Sequence, residues 1–251
     1  MDPPAPIAIL AAAAANMAAW HGSCLAALGV DSLRAGPLWH AVRPAPFIYL
    51  AAITLDGPEH GASQQARVAA LAAGRPTGMG VSDTFNTLDL GGLGFERHRE
   101  CWFVRPAGHE SAVPPHDLRV ERVRTPAMLA AFERSQHRGF ETPALAKLGT
   151  FGVFAPRLLE DPAMHILAIR DHSGEVVSSA MAYVACGVAG IYSVATPPEH
   201  RRKGYGEVVT RAAMNVARLP AVLQPSAMGE AIYRRMGFEP LADVTSWIRR
   251  G

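Results

Sequence analysis

Three cysteines, at positions 24, 101 and 186, stand far apart in a chain of 251 residues, and no Cys-x-x-Cys occurs. An odd, scattered set of thiols argues against a disulfide framework or a structural zinc site, and a reducing cytoplasm is the expected compartment. Charge of one sign is also lacking. The net charge is +2 with 18% charged residues, too mild to predict a nucleic-acid or membrane partner. No Gly-Lys-Ser/Thr closes a glycine-rich loop, so a Walker-type phosphate loop is excluded. A Gly-x-Ser-x-Gly nucleophile motif is absent as well. The ten histidines form no His-x-x-x-His pair with carboxylate support, and no metal site is expected. The one long apolar run, Ile7–Ala15, follows the acidic Met1-Asp2-Pro3-Pro4, and the first arginine is Arg34. Asn16, Trp20 and His21 interrupt it, so a buried alanine-rich helix is predicted in place of a secretion signal.

What is present is apolar mass. Hydrophobic residues make up 49% of the chain, enough for a packed core and against wholesale disorder. The stretch Ala107–Asp117 is rich in Pro, His and small residues and reads as a linker. It separates a domain over 1–110 from one over 118–251. In the first half a helix is predicted at Ile7–Leu28, a strand at Phe47–Leu55, a helix at Ala62–Ala73 and a strand at Cys101–Arg105.

The second half is clearer. A strand is predicted at Leu118–Arg124. Thr125-Pro126 then starts a helix that runs to about Arg138, with Thr as N-cap and Pro at the first helical position. A short helix is predicted near Pro143–Gly149. Strands are predicted at His165–Arg170 and Val176–Val184, joined by the hairpin turn Asp171-His172-Ser173-Gly174. Then come a strand Gly190–Thr196, a helix Gly204–Arg218, a strand Ala221–Gln224, a helix Met228–Met236 and a strand Thr245–Arg249. The fold class is α/β of the α+β type, a mixed and mostly antiparallel sheet with helices on both faces.

The informative stretch is Ser193-Val194-Ala195-Thr196-Pro197-Pro198-Glu199-His200-Arg201-Arg202-Lys203-Gly204-Tyr205-Gly206. A strand runs into a proline turn, three cations, Gly-x-Gly and a helix. The first amides of a helix lack internal partners, and its dipole adds positive charge there. Gly204 and Gly206 let the backbone approach a ligand closely. Arg201, Arg202 and Lys203 sit at the dipole end that disfavours them, a conflict that a bound phosphate resolves. On these residues alone, a solvated basic turn is the competing reading. A dinucleotide fingerprint fits poorly, because the third glycine is missing.

Arg201-x-x-Gly204-x-Gly206 resembles the Gln/Arg-x-x-Gly-x-Gly/Ala motif of the GCN5-related N-acetyltransferases (GNAT). About twenty residues on, the run from Leu223 through Tyr233 to Gly237-Phe238 is similar to that family's later signature. The resemblance spans roughly Arg119–Gly251. In the first half only Leu93-Gly94-Phe95 and the strand after it echo the fold. A degenerate copy in tandem and an unrelated helical cap both stay open there.

The resemblance implies an acyl-CoA N-acyltransferase fold, with acetyl-CoA between two splayed strands, here Ile191–Thr196 and Ala221–Gln224. Its amide-bearing arm would pair with the backbone of Val194, Ala195 and Thr196. Amides from Arg202 through Tyr205 to Gly206 would take the pyrophosphate, with Arg201 and Lys203 adding charge. Ser226 holds a position where the family often has a polar contact to the donor, although an N-cap role fits it equally. Tyr233 matches the family's general acid, which reprotonates the leaving thiolate; core packing of its ring is the alternative. The strand N–H near Val194 would polarise the thioester carbonyl. Glu141, His165 and Tyr183 are candidate bases, and His200 reads as a solvated turn residue. Phe140, Phe151 and Phe154 suggest an apolar wall, and core packing explains them equally well.

The implied function is direct transfer of an acetyl group from acetyl-CoA to a primary amine of a small molecule or peptide. Partners are then acetyl-CoA and the amine, with a homodimer left open. A non-catalytic acyl-CoA-binding regulator is the alternative. A nucleic-acid module is disfavoured by the mild charge and by the lack of aromatics around Arg201.

Overall fold

Thr125 opens the best-signalled helix as its sequence predicts. Its Oγ1 accepts the Met128 N–H at 3.3 Å, and Pro126 fills the first helical position, where no amide partner is needed. The computed structural model describes residues 6–75, 78–108 and 119–251. The predicted linker lies outside the described residues from 109 onward, as does Leu118. In chain order the elements are α1 (Pro6–Ala27), β1 (Ser32–Ala35), β2 (Leu38–Ala41), β3 (Ala52–Thr54), α2 (Gly61–Ala73), β4 (Met79–Asp83), β5 (Glu96–Arg105), β6 (Val120–Arg122), α3 (Pro126–Gly139), α4 (Pro143–Ala146), β7 (Met164–Arg170), β8 (Val176–Ala185), β9 (Val188–Ala195), α5 (Tyr205–Met214), β10 (Ala221–Leu223), α6 (Glu230–Arg235) and β11 (Glu239–Arg249).

The chain packs as two units, one of Met1–Phe103 with Pro240–Gly251 and one of Val104–Glu239. In the first, β1, β2 and β3 form an antiparallel meander, and α2 crosses over to β4, which runs parallel to β3. The last strand of the chain, β11, pairs antiparallel with β4, from Thr245 opposite Asp83 to Arg249 opposite Met79. The strand that ends the second half in sequence therefore completes the sheet of the first unit. Helix α1 is apolar nearly all round and packs on the meander. It buries Leu10, Ala13, Ala14, Met17, Trp20, Cys24 and Leu25. By length and composition alone it is also apolar enough to cross a membrane.

The second unit repeats this connectivity. Strands β6 to β9 are antiparallel neighbours, and α5 crosses over to β10, which runs parallel to β9. The β7–β8 turn is the predicted one: Asp171 accepts the Ser173 amide at 2.9 Å, and Gly174 takes a positive φ of 85°.

The first half departs from expectation. Of the apolar run Phe47–Leu55, only Ala52–Thr54 is strand, because Pro46 opens a turn closed by the Tyr49 amide at 2.9 Å. The short strands β1 and β2, folded around Gly36-Pro37, and the strand β4 carry too few residues to show a period, and they were not predicted. In the second half α5 stops at Met214, four residues before the expected end, with Asn215 as its cap.

Candidate active site

Strands β9 and β10 pair only at their first residues, Ala221 with Ala189 and Val222 with Gly190. The described pairing ends there, while β9 continues to Ala195. Within that free stretch the register to β8 slips, from Tyr192 opposite Met181 to Ala195 opposite Ser179. Ser193 sits in the slip with φ 51°, a β-bulge that re-aims the peptides beside it. Gln136 of α3 holds the bulge: its Nε2 donates to the Ser193 carbonyl and to Ser179 Oγ, each at 2.8 Å. The predicted donor-binding residues Val194, Ala195 and Thr196 come directly after it. Ser178 Oγ donates to the Ala195 carbonyl at 3.3 Å and lies 2.9 Å from Thr196 Oγ1.

The turn after β9 begins as a 3-10 helix, Pro198–His200. Arg202 and Gly204 then both take left-handed backbone, at φ 63° and 80°. Alternating hands turn successive amides the same way and build an anion-binding concavity. Among the described residues, the amides of Arg202 to Glu207 donate to no protein group, and the side chains of Arg202 and Lys203, both exposed, pair with none. Tyr205 and Gly206 form the first turn of α5, whose dipole adds to the concavity. A side chain on Gly206 would lie 3.4 Å from Thr196 Oγ1, so the helix start abuts the end of β9.

Arg201 differs from its two neighbours. It was expected to lend charge to a phosphate, but its side chain faces the protein. Nε donates to the Thr196 carbonyl at 3.1 Å, Nη2 donates to the Gly139 carbonyl at 2.8 Å, and Glu141 lies 2.7 Å away. The reason is local. Gly139 ends α3 close against β9, where a Cβ would sit 2.8 Å from that of Ala195. The last carbonyls of α3 need donors, and Arg201 supplies one. Arg138 answers from the other side by pairing with Glu199 and with Glu175. Glu175, Glu199 and His200 lie close enough to hold a cation, and the Arg138 guanidinium already lies between the two carboxylates.

Tyr233 lies on α6. Its ring packs edge-on to Phe238 at 5.9 Å, and Gly229 leaves room for it, since a Cβ there would fall 2.8 Å from the ring. Its hydroxyl has no hydrogen-bond partner among the described residues. Burial pushes its pKa up to about 12. Ser226 Oγ accepts the Gly229 amide at 3.2 Å in the turn ahead of α6, whose N-cap position is held by Gly229.

Of the candidate bases, Glu141 is held by Arg201, and Tyr183 donates to Asp161 at 3.2 Å. His165 is half-buried; burial, and then the charge of Arg122, lower its pKa, so it is neutral near pH 7. His200 is half-buried in the 3-10 turn. Phe154 packs edge-on to Phe132 at 5.5 Å in the core, while Phe140 is exposed.

Sequence reading missed two buried side chains of α3, Gln136 and Glu133. Glu133 accepts the amides of Phe151, Val153 and Phe154, at 2.5, 2.8 and 3.0 Å. It also missed a repeat. Pro58-Glu59-His60 in the first unit forms a 3-10 turn between β3 and α2, where Pro198-Glu199-His200 stands between β9 and α5. In the first unit α2 starts at once at Gly61. In the second, the residues 201–204 intervene and make the concavity.

Residues 127–238 match the model of the acetyltransferase (GNAT) family. The chain is also similar in structure to a GCN5-related N-acetyltransferase from Kribbella flavida, at 22% identity and TM-score 0.61 over 94% of this chain and 96% of that one. A GCN5-related N-acetyltransferase from Sphaerobacter thermophilus matches at 14% identity and TM-score 0.56, over 98% and 93%. A putative acetyltransferase of the GNAT family from Novosphingobium aromaticivorans matches at 15% and 0.55, over 92% and 96%. At these identities the likeness establishes the fold, here along nearly the whole chain. A search of curated proteins returned no match.

Proposed function

We propose that this protein is an acetyl-CoA-dependent N-acetyltransferase that passes the acetyl group directly to a primary amine of a small molecule or peptide. The observation that carries the reading is the run of unpaired amides from Arg202 to Glu207, set at the mouth of the β9–β10 splay. A pyrophosphate satisfies those donors, and an amide-bearing arm matches the free edge of β9 as an added strand would. Arg202 and Lys203 supply charge. The Val194 amide, beside the bulge, is the donor proposed to polarise the thioester carbonyl.

Tyr233 is the candidate partner of the departing sulfur. A hydroxyl near pKa 12 facing a thiol near 8.5 would lose about 5 kcal/mol on full proton transfer. Tyr233 therefore acts by holding a hydrogen bond to the developing thiolate, and the thiol takes its proton from the amine as the amide forms. The compartment proposed for it is the reducing cytoplasm, from three scattered cysteines with no Cys-x-x-Cys spacing.

The test is calorimetric titration with CoA, then thiol release from acetyl-CoA across a panel of amines. Saturable CoA binding and turnover with some amine are expected. Binding without turnover on any amine would favour a CoA-binding regulator, and no binding would remove the reading.

A further inference from the structure

Gln136 is 2% exposed, and both protons of its Nε2 are engaged, by Ser179 Oγ and by the Ser193 carbonyl. A buried polar side chain on a helix face that packs on a sheet is a costly choice unless its bonds accomplish something an apolar residue cannot. Here one bond ends on the bulge of β9. A trans peptide is planar, so the Val194 N–H points opposite to the Ser193 C=O. Fixing that carbonyl toward α3 fixes the amide away from α3. The left-handed Ser193, at φ 51°, is a conformation that a non-glycine residue keeps only when its surroundings hold it. The ladder does not supply the hold, because the register to β8 skips Ser193 and Val194.

We infer that Gln136 is a positioning residue that aims the Val194 amide at the acyl carbonyl, an inference that rests on the acetyltransferase reading above. Ser179 is its second anchor: it keeps the Gln136 amide from rotating and does not itself touch the bulge. Donor affinity resides elsewhere, in the 202–207 amides, and so is separable from this function.

The test compares Gln136→Met, Gln136→Glu and Ser179→Ala with the wild type. Measured are CoA affinity, kcat with an accepted amine, and the infrared stretch of carbonyl-labelled acetyl-CoA bound without amine. In Gln136→Met, CoA affinity should stay within about twofold while kcat falls on the order of 10- to 100-fold. The labelled carbonyl should shift toward its value in water. Gln136→Glu, which puts a carboxylate against a carbonyl, should be at least as slow. Ser179→Ala, which keeps the Ser193 bond and serves if the Gln136 variants do not fold, should lose a smaller fraction of kcat with the same direction of carbonyl shift.

Unchanged kcat and stretch in a folded Gln136→Met overturn the inference, as does a parallel fall of CoA affinity and kcat, or an unchanged stretch in Ser179→Ala where the Gln136 variants do not fold. A wild type that neither binds CoA nor transfers acetyl overturns both the inference and the function beneath it.

Discussion

The Arg201 guanidinium meets the Glu141 carboxylate at 2.7 Å, and Glu141 holds a left-handed backbone, φ 50°, where it does so. That conformation costs a non-glycine residue about 1–2 kcal/mol. The pair is one of two that cross the same gap in opposite senses, since Arg138 of α3 reaches Glu199 of the turn. The end of α3 and the turn after β9 are thus tied by a cation from each side. Adjacent cations, Arg201 and Arg202, consequently do different things.

Arg201→Gln should lower stability by about 1–2 kcal/mol, because two carbonyls lose their donor. Glu141→Gln should cost less, since that carboxylate is over half exposed and its bond to Arg201 is screened. The two losses should be non-additive in a double-mutant cycle read by urea unfolding. Additive losses would mean the pair is not coupled.

The backbone of the turn after β9 was partly legible before the fold, and the side-chain arrangement that was not has a physical reason. Gly204 and Gly206 announce a helix start open to an anion, and Tyr233 with Gly237-Phe238 marks the second helix of the site and the turn that closes it. Which cation turns inward is decided by the carbonyl of Gly139, 62 residues away in sequence, and no local pattern holds that. Gln136 and Glu133 sit three residues apart on a helix, and neither residue type signals burial by itself. They are buried because a bulge and a loop on other elements require their bonds. In the first half, α1 shows as one long apolar run and α2 has enough turns to show a period, while β1 and β2 have four residues each and show none.

Arg202→Gln with Lys203→Gln should weaken CoA binding by about 10-fold or more at low salt and flatten its salt dependence. Among the described residues neither side chain has a pairing partner, and both stand at the positive end of α5. The thermal midpoint should accordingly stay level or rise slightly. Titration calorimetry at two ionic strengths and a melting curve decide it; a fall in midpoint without a change in affinity would contradict the assignment.

Gly204→Ala should destabilise by about 1 kcal/mol and weaken CoA binding together. The φ of 80° disfavours any Cβ, although no atom lies within 4 Å of where it would be. The loss is therefore one of backbone shape and not of space. Binding that survives a measured loss of stability would show that the concavity does not need the left-handed residue.

Tyr233→Phe should lower kcat by about 10- to 100-fold with CoA affinity unchanged. The loss should be even across pH 6–10, since Tyr233 stays protonated throughout that range. Linkage gives a second signature. Folding raises this pKa from 10 to about 12, so between those values the folded state holds the proton more often than the unfolded one. The contribution, about 2–3 kcal/mol, is fully present below pH 10 and is lost as pH rises toward 12. Tyr233→Phe should remove that part of the alkaline loss, measured by urea midpoints from pH 9 to 11.5.

His21 sets the acid side. It is buried on α1 among Trp20, Trp39 and Tyr49, with ring centroids 4.8, 5.9 and 5.7 Å away, and its Nδ1 has no partner among the described residues. Burial lowers its pKa from 6.5 to about 3. Between those values the unfolded chain binds the proton and the folded one does not, so stability falls as pH drops below 6.5. The loss can reach about 5 kcal/mol by pH 3. His21→Phe removes both the titration and the orphaned nitrogen while keeping an aromatic ring among aromatics. It should leave stability at pH 8 within about 1 kcal/mol, a near volume-conserving change in a packed core, and raise it clearly at pH 4.5. Urea midpoints at the two pH values measure the difference. Equal acid loss in wild type and variant would place the acid-sensitive group elsewhere, because no other change between pH 8 and 4.5 is removed by this substitution.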